Sequence, residues 1–261
     1  MNWKRKLLIA ALSLIGAGMV LYAPVALAQQ LTLDMGGAED GTLSGRIVQL
    51  LALLTILSLA PSILIMMTSF TRIIVVLSFL RTALGVQQTP PNTVMMSLAL
   101  FLTFFIMGPT LKTAYDEGIQ PLINQEIDEA TAMERATDPF KTFMLKHTRE
   151  TDLSLFIELS NTEMPKTAME TPLQVVIPAF MISELRRAFE IGFMLFLPFL
   201  IIDMVTASIL MSMGMMMLPP IMISLPFKII FFVLVDGWHL VVGSLVKSFE
   251  TGTPAVPVVT G

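Results

Sequence analysis

Apolar positions along this chain come in long, nearly unbroken blocks, and the charges that interrupt them are few and grouped. A helix needs about 20 predominantly apolar residues to cross the hydrocarbon core of a bilayer. Residues 47–67 meet that length, with Pro61 placed to kink the helix. Residues 94–107 continue past Gly108-Pro109 to Leu111 and meet it too, and residues 221–246 form a third long block. Residues 73–80, bracketed by Arg72 and Arg81, are too short to cross. Residues 174–183 and 191–202 are strongly apolar but individually short, and Glu184, Arg186, Arg187 and Glu190 separate them, with Asp203 just beyond. The pattern predicts broken segments rather than one span. Charged side chains at membrane depth cost several kcal/mol unless they face protein or water, so these segments are expected to pack against partner subunits around a wet path.

Composition agrees with a membrane class: 54% of residues are hydrophobic and 14% charged, against about 25% charged in soluble domains. The reading is an all-α integral membrane protein. A net charge of −4 with no Lys/Arg-rich run argues against nucleic acid as a partner. The absence of cysteine excludes disulfides, thiol nucleophiles and Cys-ligated metals.

The N-terminus carries a basic stretch, Trp3-Lys4-Arg5-Lys6, an apolar run over residues 7–22, and small residues at Ala26-Leu27-Ala28. That order predicts a secretory signal over residues 1–28, cleaved before Gln29, in preference to an uncleaved anchor. Residues 29–45 then form a flexible lead-in, 46–111 the N-terminal hydrophobic helices, 174–249 the C-terminal hydrophobic hairpins and 250–261 a flexible tail. With the mature N-terminus outside, Arg72, Arg81, Arg186, Arg187 and Lys247 all fall on the cytoplasmic side. On that topology residues 112–173 and the methionine-rich stretch at 211–220 face the periplasm.

Residues 112–173 are acidic and read as an α-helical hairpin. Asp138-Pro139 looks like a cap followed by a first-turn proline, and Phe140, Phe143, Met144 and Leu145, then Leu153, Phe156, Ile157 and Leu159, recur at helical spacing. His147 and Arg149 are expected to be solvated or interfacial, and His239 beside Trp238 interfacial or packed.

No phosphate loop, His-Glu-x-x-His or Gly-x-Ser-x-Gly pattern is present, and the two histidines sit in different segments, so no enzyme, cofactor or metal site is expected. Glu184 with Arg187 and Arg186 with Glu190 are spaced for intrahelical pairs. Asp203 reads either as a proton relay or as half of an inter-subunit pair with Arg or Lys, and structural pairing is the preferred reading for it and for the 184–190 cluster, as inter-subunit or pore charges. Phe189, Phe193, Phe196 and Phe199 repeat every three or four residues and are placed to line a path or pack one helix face.

Two long motifs then identify a resemblance. Pro178-Ala-Phe-Met-Ile-Ser-Glu-Leu-Arg-Arg-Ala-Phe-Glu-Ile-Gly-Phe193 and Pro198-Phe-Leu-Ile-Ile-Asp-Met-Val205 closely resemble the two signatures of the FliP family of flagellar biosynthetic proteins. Thr68-Ser-Phe-Thr-Arg72, Leu80-Arg-Thr-Ala-Leu-Gly85, Gln88-Thr-Pro-Pro-Asn92 and Phe143-Met-Leu-Lys-His-Thr-Arg149 are similar to further family blocks.

The resemblance implies a non-enzymatic subunit of the flagellar type III export gate. It implies a homo-oligomer built helically with FliQ and FliR, neighbouring FlhB and FlhA, that passes unfolded flagellar proteins across the inner membrane within the basal body. Much of such a complex stands above the membrane plane. The resemblance also gives Met211, Met213, Met215, Met216 and Met217 the role of a gasket around a passing chain. Without it, methionines at such a place read as packing of a helix end. The alternative function is a small-solute or proton transporter using Asp203 and Glu184 in broken helices, which internal inverted repeats would support; none is visible.

Overall fold

The computed structural model describes residues 43–86, 89–160, 165–215 and 219–250, and every regular element among them is helical. The expected signal at 1–28 lies outside them, as do Met216 and Met217. Two compact units divide between Leu54 and Thr55. The described part of the first is the opening of helix α1 (Leu43–Met66), which begins within the stretch expected to be a flexible lead-in.

In the second unit, α2 (Phe70–Leu84) is the central helix. Ile73, Val76, Leu77, Leu80 and Leu84 repeat at three- and four-residue spacing, and all are buried. They pack with Met95 and Ala99 of α3 (Asn92–Ala114), Ala188 and Phe199 of α7 (Leu173–Ser212), Phe232 of α8 (Pro220–Leu234) and Leu245 of α9 (Gly237–Glu250). A stretch too short to cross a membrane is thus a core helix wrapped by its neighbours.

Helix α3 does not stop near Leu111. It runs through a π-helical turn (Tyr115–Ile119) into α4 (Gln120–Ile123), making one apolar rod of 32 residues. At Gly118 a Cβ would stand 2.7 Å from both the Ala136 Cβ and its backbone nitrogen, so glycine is what lets this turn lie against α5 (Glu129–His147).

Three expectations are corrected here. Helix α5 starts after Asp128, whose carboxylate accepts a bond from the Thr131 hydroxyl, and not at Asp138. Pro139 sits inside the helix, which tolerates one missing N–H bond where tertiary packing supplies stability. Helices α5 and α6 (Glu150–Leu159) join through α7: Met144, Leu145, Leu153 and Ile157 pack on Val175, Val176, Ala179 and Phe180.

The third correction is the largest. Residues 173–212 are one continuous helix of 40 residues, running through Pro178, the charge cluster and Pro198. Charges do not break a helix; they only have to be satisfied, and each acid of this segment has a partner (below). At about 1.5 Å per residue, α7 is roughly 60 Å long, twice the ~30 Å hydrocarbon core.

Among the described residues, Asn92–Ile123 and α7 are each long and apolar enough to cross a membrane, and α8 with α9 qualify as a pair bent by 64°. Phe101, Phe104 and Phe105 of α3, and Val233 and Leu234 of α8, are exposed on the chain surface. Apolar surface of that extent marks lipid or subunit contact. The protein is an all-α integral membrane protein.

Candidate functional site

The deepest charges belong to Arg72 and Glu184, both at 0% exposure. The Arg72 Nε donates to one Glu184 oxygen at 2.8 Å, and a terminal nitrogen donates to the other. The remaining terminal nitrogen donates to the Ser248 carbonyl at 3.1 Å and its hydroxyl at 2.9 Å, and the guanidinium carbon lies 3.7 Å from the centre of the Phe249 ring. One planar fork therefore ties α2, α7 and α9 together, a geometry specific to arginine.

The sequence spacing assigned Glu184 to Arg187; its partner is Arg72. Arg187 is half-buried and its Nε has no acceptor among the described residues. Arg186 and Glu190 do pair along the helix, at 2.9 Å, and both are exposed.

Beside Glu184, the Ser183 hydroxyl donates to Asp152 at 2.6 Å and accepts the Arg149 backbone N–H at 3.0 Å, while the Arg149 guanidinium grips Asp152 at 2.9 and 2.6 Å. Arg149 is thus a tether between α6 and α7. His147 is buried rather than solvated, with its ring 4.8 Å from Phe143 and 5.3 Å from Phe249. Burial, and then the charges of Arg72, Lys146 and Arg187, push its pKa down to about 3, so the ring is neutral at pH 7.

Asp203 also has a partner inside the chain. Its Oδ2 accepts from Lys228 Nζ at 2.6 Å and its Oδ1 from the Ser224 hydroxyl at 2.5 Å, both from α8. The same Lys228 Nζ donates to the Ala83 carbonyl in the last turn of α2, at 3.1 Å. Lys228 was missed by the sequence reading. Its signal was there: it is the only Lys or Arg of the apolar block at 221–246, and the argument that singled out Asp203 applies to it equally.

The four phenylalanines divide by face. Phe189 and Phe193 are exposed, with Phe189 edge-on to Phe79 of α2 at 5.0 Å, whereas Phe196 packs on the core and Phe199 is buried.

The methionine stretch follows a helix stop built by Gly214. At φ +74°, Gly214 occupies the left-handed region, its N–H bonds the Met211 carbonyl at 3.1 Å, and the Met215 N–H reaches back to Leu210 at 3.0 Å. These two bonds are a glycine-terminated helix end. Met211 therefore lies in the last turn of α7 rather than in the loop, Met213 to Met215 form the turn, and Pro220 begins α8 as its first residue. Met211, Met213 and Met215 are 57%, 59% and 48% exposed. A cluster of bare thioethers is thereby held at the end of a spanning-length helix.

Comparison with known proteins gives a match to the FliP family over residues 53–245. Flagellar biosynthetic protein FliP of Caulobacter vibrioides is 58% identical over 243 residues, covering 93% of this chain and 91% of that protein. The Bacillus subtilis protein of the same name is 59% identical over 202 residues, covering 77% and 91%. That of Aquifex aeolicus is 56% identical over 207 residues, covering 78% and 86%.

Proposed function

Because the chain belongs to the FliP family of flagellar biosynthetic proteins, we propose that it is the pore-forming core subunit of the flagellar type III export gate, passing unfolded flagellar proteins across the inner membrane. The observation that carries this reading is the methionine turn. Met213 and Met215 are exposed at the end of a 40-residue apolar helix, on a backbone stopped by Gly214. An unbranched, polarizable side chain adapts to many shapes without demanding one sequence. That is what a seal around chains of varied sequence requires.

Several copies of α7 and α8 would set their turns around a common axis, with Met211, Met216 and Met217 extending the ring. Exposed Phe189, Phe193 and Arg186 would face neighbouring copies, or the FliQ and FliR subunits, with FlhB and FlhA beside them. A helix roughly 60 Å long supports an assembly that extends beyond the bilayer toward the periplasm, within the basal body.

The pairing of both acids within the chain favours structure over solute transport. Glu184 is held by Arg72, and Asp203 by Lys228 and Ser224.

Site-directed crosslinking tests the conduit. The chain has no cysteine, so Met215→Cys introduces a unique thiol. With an export substrate stalled in the gate, that thiol is expected to crosslink to the substrate, while Phe101→Cys on the exposed face of α3 does not. A Met215→Cys complex that assembles and exports but never crosslinks to stalled substrate overturns the reading.

A further inference from the structure

The described part of the turn is exposed rather than packed. Met211, Met213 and Met215 are exposed, and beyond its chain neighbours no atom among the described residues lies within 4 Å of where a Cβ on Gly214 would stand. Its position is therefore inherited from its two stems, α7 and α8. Those stems are almost wholly apolar, and apolar faces alone specify register weakly, whereas a buried polar contact specifies it well.

Partly buried polar contacts join Asp203 to Ser224 and Lys228. Asp203 stands between two and three turns before the end of α7, and Ser224 and Lys228 stand about one and two turns into α8. Both carboxylate oxygens are taken by α8, one by the Ser224 hydroxyl at 2.5 Å and one by Lys228 at 2.6 Å, so the stems are cross-linked at two points. The second bond of Lys228, 3.1 Å to the Ala83 carbonyl, runs to the central helix α2. Gly85, which ends α2 at φ +76°, lies beside it: a Cβ at Gly85 would be in ordinary contact with the Lys228 nitrogen, at 3.9 Å. Lys228 itself is only 3% exposed.

We propose that Lys228 is a positioning residue for the methionine turn: by holding Asp203 and the end of α2 together, it fixes the height at which the turn projects, and so whether the closed gate seals. This rests on the reading of the turn as the seal.

The test uses the full chain assembled with its gate partners, and reads oligomer yield together with closed-state ion conductance in planar bilayers. Lys228→Met alone strands the Asp203 charge and risks misfolding. The double variant Asp203→Asn/Lys228→Met removes the clamp without leaving an unpaired charge, and Ser224→Ala removes one cross-link while keeping the ion pair. Met213→Ala/Met215→Ala serves as the reference for a damaged seal.

The expected result is near-normal yield of the double variant with conductance raised toward that of the methionine variant, and a smaller rise for Ser224→Ala. If the methionine variant leaks while the assembled double variant and Ser224→Ala both stay as tight as wild type, the positioning role is overturned and the seal stands. If neither the clamp variants nor the methionine variant leaks, the seal reading fails and takes the positioning role with it.

Discussion

Arg72 and Glu184 satisfy each other where no water reaches, so neither tolerates loss of the other. Arg72→Met or Glu184→Gln is expected to destabilise the chain by about 3–5 kcal/mol, and an apolar double substitution to recover much of that. Thermal unfolding in detergent checks both, and additive losses in the double variant would contradict the pairing. The exposed Arg186–Glu190 pair is worth only about 0.3–0.5 kcal/mol. Arg186→Glu should therefore leave monomer insertion nearly unchanged, and any large drop in oligomer recovery reports a subunit contact at that face. Acid dependence follows from His147. Its pKa is lowered to about 3 in the folded chain, against about 6.5 when unfolded, so the unfolded state takes up the proton first. Its contribution is complete above about pH 6.5 and is lost progressively as the pH falls toward 3. His147→Gln should flatten the stability profile across that window, and an unchanged slope would assign the effect elsewhere. At this scale the sequence exposed the charges but not their partners: Glu184 meets Arg72 across 112 residues of chain, and no local spacing encodes that.

The apolar blocks were legible as helices because membrane-length hydrophobic runs carry a strong signal. Continuity was not. The break expected at 184–190 came from treating charges as interruptions, whereas α7 satisfies them sideways, against α2 and along its own surface. The start of α5 was misplaced because Asp138-Pro139 imitates a helix beginning, while the helix begins after Asp128. How closely α2 and α7 approach rests on Gly192, where a Cβ would stand 2.6–3.1 Å from Phe79 side-chain atoms. Gly192→Val is therefore expected to destabilise by about 1–3 kcal/mol as Phe79 is displaced. Gly108→Ala, which meets no atom within 4 Å, should be neutral or stabilising by up to about 1 kcal/mol. Equal effects of the two, measured by unfolding in detergent, would contradict that packing.

At the scale of the whole molecule, the family motifs of the sequence cover the parts that fold together: 68–72 and 80–85 bracket the central helix, and 178–193 and 198–205 supply its longest partner. The methionine turn was legible by composition, but its clamp was not, because Asp203 and Lys228 belong to different apolar blocks. Cleavage after Ala28 predicts a mature chain beginning at Gln29; N-terminal sequencing of membrane-extracted protein checks this, and retention of residues 3–6 would contradict it. The central claim is that the methionines close a conduit rather than fill a core. Conductance of purified gate complexes carrying Met213, Met215, Met216 and Met217 all changed to Ala, measured beside oligomer yield, tests it most directly. The account predicts near-normal yield with a closed state that leaks ions. Buried methionines would each lose about 2–5 kcal/mol on truncation, lowering assembly, so a complex assembled in full yield that remains as tight as wild type contradicts the claim.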